Sequence, residues 1–396
     1  MSLLNGKRVL DFGRYIAGPF CGAMLADLGA DVIRIEKIDG SEDRYTSPVG
    51  EFEGRDVGAL FLHLNRNKRG FTFNPKKAGA AEVLQRLVSS ADLVLVNMTP
   101  TGVADVGLDY ANLKSIKSDI ILVTSTAFGS AGPFGNRVGF DGVAQAMSGN
   151  LHLTGQADSP TKNYFPYVDF MTGALNALGS LAAFMHHDKT GAGQHVEGAL
   201  LASAVTIAGG ALIEQALSQV NRTATGNRGQ TAAPSDTFQT KDGWVLVSVV
   251  GDPLFKRWAN LLGESFWLED ERFSSDILRG DHAEMISERM QVWTIQRTSA
   301  EVLVALDEAR IPCGEVLTPQ QTLQHEQVKA MQYLADMQFP GLAQSYPLPR
   351  TPIEFSADVI EPMTRPPLLG EHTDEILRDL RFTDEQIASL HELRVV

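Results

Sequence analysis

Short apolar runs recur along the first third of the chain, and most are separated by stretches of helical character. The runs are Arg8 to Phe12, Val32 to Glu36, Gly70 to Phe73, Leu93 to Asn97 and Ile120 to Thr124, while Phe20 to Leu28, Ala78 to Ser90 and Tyr110 to Lys117 read as helices. Strands without a polar face that alternate with helices build a parallel sheet covered on both sides. The expected fold class is therefore α/β. A polar connector, Gly229 to Ser235, marks a boundary. After it come a hairpin from Thr237 to Val250 turning at Lys241-Asp242-Gly243, helices near Pro253 to Leu262, His282 to Gln296 and Ala300 to Ala309, and a strand from Ile311 to Leu317. This predicts a smaller α+β domain.

The opening strand-helix-strand unit is Rossmann-like, and Glu36 follows its first turn at about the distance a dinucleotide site needs. The glycines Gly13, Gly18 and Gly22 lack G-x-G-x-x-G spacing, and Pro19 stands where that loop needs a flexible backbone. An NAD(P)-dependent dehydrogenase stays as a distant alternative.

The net charge of −14 argues against nucleic acid or an anionic membrane surface as the main partner, so an anionic ligand needs a local basic pocket. Asn65-Arg66-Asn67-Lys68-Arg69 is the densest basic site in the first half, with Lys37 beyond the second strand as a further candidate. Two distant cysteines, Cys21 and Cys313, give neither a disulfide framework nor a metal cluster. His186, His187 and His195 lack metal-ligand spacing with nearby carboxylates, and no metal is expected. Residues 1–7 show no signal-peptide core, and the apolar run Gly198 to Ile213 reads as too short and too rich in Gly, Ser and Thr to span a membrane. The expected location is cytoplasmic.

The candidate centre is Asp169, a lone carboxylate between Tyr164 to Val168 and a helical segment, Phe170 to His187. An Asp before a helix is most often just a cap. At that position the helix dipole and free N–H groups are expected to lower its pKa and keep it anionic, fit for nucleophilic attack. Gly173, Ala174, Ala177, Gly179, Ser180, Ala182 and Ala183 let another backbone approach this helix closely. Phe128 to Gly139 reads as a mobile loop over a cleft.

Asp169, Gly173 and the run Lys189-Thr190-Gly191-Ala192-Gly193-Gln194-His195-Val196-Glu197 resemble the heart of the class III CoA-transferases, the formyl-CoA:oxalate and carnitine CoA-transferase type. Further blocks match in order: Ile16 to Phe20, Leu28 to Glu36, Asn65 to Arg69, Asp141 to Ala146, Gly226 to Arg228, Asp242 to Trp244, Ile311 to Gly314 and Leu368 to Asp374. The resemblance implies a large CoA-binding domain over 1–228, the small domain over 229–330 and a return segment over 331–396. It also implies an interlocked homodimer. The activity implied is transfer of CoA from an acyl-CoA thioester to an acceptor carboxylic acid, with Asp169 as nucleophile. Coenzyme A thioester is then substrate, and no cofactor is bound permanently. Ile16, Ala17, Lys37, Arg69, Phe140 and Asp141 are the candidate CoA-binding positions, with backbone N–H groups of Ile16 to Gly18 as oxyanion donors.

The chain also departs from the family pattern. Met98-Thr99-Pro100-Thr101 and Asp105 stand where relatives carry Arg-Pro-Gly and an arginine used on CoA. Phe140 occupies the place of the histidine of 2-methylacyl-CoA racemases, which removes one partner from two-base chemistry; racemase or isomerase activity remains the alternative. Ile16 replaces the glutamine of the formyl-CoA enzymes, and only Gly251 stands for their glycine run. His372 is read as a helix-start residue.

Overall fold

The computed structural model describes residues 2–357 and 363–396; residues 358–362 of the expected return segment lie outside these. Contacts divide the chain into a larger unit, Met1–Ser148, Asn163–Leu212 and Gln327–Val396, and a smaller one, Gly149–Lys162 and Ile213–Glu326. The smaller unit thus also takes in 149–162 and 213–228.

In the larger unit β1 (Arg8–Asp11), α1 (Ala17–Asp27) and β2 (Asp31–Glu36) form the opening strand-helix-strand unit. Residues 39–56, expected as a loop, instead hold a 3-10 turn, Glu42–Tyr45, and much of the hairpin β3 (Pro48–Phe52) and β4 (Arg55–Gly58). Phe52 and Val57 find an apolar cluster in Phe339 and Leu342, which no local pattern could announce. There follow α2 (Ala59–Leu64), β5 (Lys68–Thr72), α3 (Ala80–Ser90), β6 (Leu93–Val96), α4 (Pro100–Asp105), α5 (Tyr110–Ile116), β7 (Ile121–Thr126) and α6 (Asp141–Met147). After the short β8 (Gly155–Gln156) and β9 (Ser159–Pro160) of the smaller unit come α7 (Tyr167–Thr190), β10 (His195–Ala199) and α8 (Leu200–Ser218).

Six strands pair in the order β10-β7-β6-β1-β2-β5, every neighbour parallel. Alternate side chains enter two different cores. Leu10, Ile33, Val94, Val96 and Leu122 pack with α3 and α5 residues such as Val83, Leu87 and Leu113. Val9, Val32, Leu93, Leu95 and Val123 pack with Leu25 of α1 and Ala177 and Phe184 of α7. Both faces are covered, which is why these strands read as unbroken apolar runs. Each such side chain contributes about 1.5–3 kcal/mol on burial.

The smaller unit carries the antiparallel sheet β11 (Ser235–Gln239), β12 (Trp244–Ser248) and β13 (Cys313–Glu315). Phe238, Val245 and Val247 pack there against Phe255, Trp258 and Met290. By length and composition α7 and α8 are each apolar enough to cross a membrane, so the limit expected for the run near Gly198 does not hold for the full helix. Nearly half of the most apolar window of α7 is nevertheless buried within the protein.

Candidate active site

α7 begins after Pro166 with no cap from its own N-cap side chain. Its first-turn donors are met from another helix. Asp141, the first residue of α6 and 5% exposed, accepts the backbone N–H of Val168 at 2.8 Å and of Asp169 at 3.1 Å on Oδ2. Its Oδ1 accepts from Gln145 Nε2, and Gln145 Oε1 accepts the Asn163 N–H at 3.1 Å. A buried carboxylate therefore ties the start of α7 to α6 through charge-assisted hydrogen bonds.

Asp169 is the third residue of α7 and lies within its first turn, not ahead of it. The expected low pKa is overturned: burial, then the charge of Asp141, push its carboxyl up to about 7. The reason is local. Two N–H groups of this turn are spent on Asp141, which returns a negative charge instead.

One turn further on, Gly173 lies against α1, where an added Cβ would stand 2.7 Å from the Ala17 carbonyl oxygen and 3.1 Å from the Phe20 ring. That close approach brings Asp169's end of α7 to the start of α1. Ala17, Ala144 and Val168 share one small apolar cluster. Ile16 is the N-cap of α1 and offers no side-chain cap, which leaves the first-turn N–H groups to other acceptors. Phe140 is 62% exposed and stands edge-on to Tyr15, ring centroids 5.6 Å apart; Tyr15 has φ 59°. Ile16, Ala17, Phe140, Asp141 and Asp169 are thus assembled by the starts of three helices, α1, α6 and α7.

Two candidate residues are not part of this group. Lys37 is exposed and paired with Glu42. Arg69 is committed to Asp31 through Nε at 2.9 Å and Nη2 at 2.7 Å, with Glu375 at 2.9 Å and Asp379 at 3.4 Å from Nη1. The rest of the basic run is also paired. Arg66 grips Asp27, and Lys68 lies fully buried against Asp11, the Pro19 carbonyl and Asn65. A sequence cluster of positive charge has been spread over separate carboxylates, so it does not make a free basic site.

The loop from Phe128 is tethered: Ser130 bonds Glu197 through both N–H and Oγ, and the Arg137 guanidinium lies 4.9 Å from the Phe134 ring centre. His372 is the N-cap of the helix Thr373–Asp379, as its helix-start reading requires, and its Nδ1 accepts the Gly70 N–H at 3.1 Å. Thr124 bonds His195 at 2.8 Å. Among the described residues no group of three or more His, Cys, Asp or Glu side chains is placed to hold a metal ion.

One feature of the site had no local signal. Phe20, His63 and Phe170 form an aromatic trio beside the nucleophile candidate, with Phe170 4.9 Å from Phe20 and 5.8 Å from His63 between ring centroids. Burial, then the Arg66 charge, push the imidazole down to about 4, so it is neutral at pH 7. Its Nδ1 is buried without a hydrogen-bond partner.

A sequence model of CoA-transferase family III matches residues 4–373. The chain is 31% identical over 388 residues to the succinate–glutarate CoA-transferase of Agrobacterium fabrum, covering 95% of each protein. It is 29% identical to the succinyl-CoA–D-citramalate CoA-transferase of Chloroflexus aurantiacus, covering 99% of this chain and 98% of the relative. Its fold is similar to that of a CAIB/BAIF family protein from Brucella suis, with TM-score 0.83 and 31% identity over 95% of this chain and 99% of that one. From the first strand to the last helices but one, therefore, the chain belongs to CoA-transferase family III.

Proposed function

We propose that this enzyme moves CoA from an acyl-CoA thioester to an acceptor carboxylic acid, with Asp169 as the nucleophile. The observation that carries the reading is the placement of Asp169 in a largely buried first turn, next to a small-residue contact with α1. The Asp169 carboxylate attacks the thioester carbonyl and expels CoA thiolate, leaving an aspartyl-acyl anhydride. The thiolate attacks the aspartyl carbonyl, releases the first acid as carboxylate and leaves an aspartyl-CoA thioester. The acceptor carboxylate then attacks that thioester and frees the thiolate again. Attack of this thiolate on the acceptor's acyl carbonyl releases the new thioester and restores Asp169. Each step exchanges one activated acyl group for another, so positioning and exclusion of water decide the rate.

Backbone N–H groups from Ile16 to Gly18 are the oxyanion donors in this reading, supported by the missing side-chain cap of α1. Phe140 walls the acyl group, and Asp141 sets the position of Asp169. A raised pKa strengthens the carboxylate's nucleophilicity once it is ionised. The relatives' names point to short dicarboxylic acyl groups, and we extend that class to this chain.

The reading takes the enzyme as a cytoplasmic homodimer without metal or resident cofactor. Exposed Leu178 and Met185 of α7 and Ile213 and Leu217 of α8 support a partner copy. A second reading, α-epimerisation of a 2-methylacyl-CoA, is favoured by one observation: a carboxyl near pKa 7 suits proton transfer.

Incubation with a panel of acyl-CoAs, a hydroxylamine quench and peptide mass spectrometry separate the two. Hydroxamate on Asp169 that is absent from Asp169→Asn establishes the transferase mechanism. CoA binding without any modification of Asp169, together with solvent deuterium at the α-carbon, establishes the racemase instead.

A further inference from the structure

The phosphates of coenzyme A need cations, and those foreseen here are largely engaged: Asp105 stands in place of an arginine, Lys37 holds Glu42, and Arg69 holds three carboxylates. We propose that Arg14 binds the phosphates of coenzyme A. The inference rests on the CoA-transferase reading and adds a residue to that site.

Arg14 lies on the segment joining β1 to Ile16 and Ala17. Its peptide is clamped by one side chain, with Arg14 N–H donating to Asn97 Oδ1 at 2.7 Å and Asn97 Nδ2 donating to the Arg14 carbonyl at 2.6 Å. The side chain is placed as firmly. Nη1 donates to the carbonyls of Gly13 at 3.2 Å and Ile35 at 3.1 Å, which sets the guanidinium at the carboxyl ends of β1 and β2. Parallel α/β sheets take their ligands at that end. Lys37 follows Ile35 by two residues, so both cations serve the same edge.

The neighbouring cations are neutralised, and Arg14 is not. Arg34 pairs with Asp43, Arg44 with Glu36, Arg66 with Asp27 and Lys68 with Asp11. Among the described residues no carboxylate lies within 4.0 Å of the Arg14 guanidinium, and its Nε and Nη2 have no hydrogen-bond partner. Burial, then the charge of Arg34, push Arg14 below its ordinary pKa, a strain that a bound anion relieves. A guanidinium with one nitrogen anchored on carbonyls and two left open presents a fixed planar fork, which matches phosphate oxygens better than a flexible ammonium does.

The test compares coenzyme A with pantetheine, which lacks the phosphates, on the purified full-length protein by titration calorimetry. For Arg14→Gln we expect CoA to bind about tenfold to hundredfold more weakly, with the ratio of CoA to pantetheine affinity falling by the same factor. Arg14→Lys, which keeps the charge but loses the fork, should recover part of the ratio. Equal weakening of CoA and pantetheine overturns the proposal, because a merely structural role would damage both alike. If Arg14→Gln fails to fold, Arg14→Lys decides alone: a several-fold loss for CoA only supports the contact, and no change in the ratio overturns it. A wild-type protein that binds neither compound overturns the CoA-transferase reading itself.

Discussion

The backbone N–H of Asp169 donates to Asp141 Oδ2 at 3.1 Å, and the same oxygen takes the Val168 N–H at 2.8 Å. One carboxylate therefore caps the helix that carries another. The cap fixes Asp169 in space, and its charge raises the Asp169 pKa to about 7.

The first consequence is a pH profile. Attack requires ionised Asp169, so kcat/KM should rise tenfold per pH unit below about 7 and level off above it. In Asp141→Asn the amide oxygen still accepts the two N–H groups while the repelling charge is gone. Its acid limb should move to lower pH by about half a unit or more. An unmoved limb would assign the whole shift to burial.

Stability should run the other way. A carboxyl near 7 in the fold, against an ordinary value of 3.8, binds more protons folded than unfolded between those pH values. Stability contributed by this group is lost as pH rises from about 4 to about 7. Asp169→Asn should therefore be more stable than wild type at pH 8, by about 1–2 kcal/mol after allowance for solvent reaching the side chain, and similar at pH 4. Denaturant melts at the two pH values check it.

The contact between α1 and α7 predicts a cost for one methyl. In Gly173→Ala the new Cβ would stand 2.7 Å from the Ala17 carbonyl oxygen, so the helices must separate. Ala is otherwise the better helix former by about 1 kcal/mol. We expect kcat to fall at least tenfold with the circular dichroism spectrum unchanged. Full activity would show that the two helix starts need not be this close.

The basic run predicts two different outcomes from two arginines three residues apart. Arg66 and Asp27 are both buried, so Arg66→Met leaves an uncompensated carboxylate and should cost about 3–5 kcal/mol. Arg69 is partly exposed among its carboxylates, so Arg69→Gln should cost about 1 kcal/mol or less. Neither change should alter the ratio of CoA to pantetheine affinity. A selective loss of CoA binding in Arg69→Gln would return that residue to the site.

The sequence by itself determined the layered fold, because strands such as Leu93 to Val96 must bury both faces and so reveal a parallel sheet through their composition. It also determined Asp169 as the candidate centre and His372 as a helix start, since both depend on residues close in the chain. Only the tertiary structure decided which charges are free. Arg66, Lys68 and Arg69 look alike in sequence, yet each is claimed by a different distant carboxylate, while Arg14, with no mark in the sequence, keeps open donors. The same holds for the Asp169 pKa. Local rules place a helix dipole beside it, but Asp141, brought in from 28 residues away, takes the N–H groups and adds its charge. Covalent neighbours fix backbone preference, whereas electrostatics depends on whichever groups folding brings within a few ångströms.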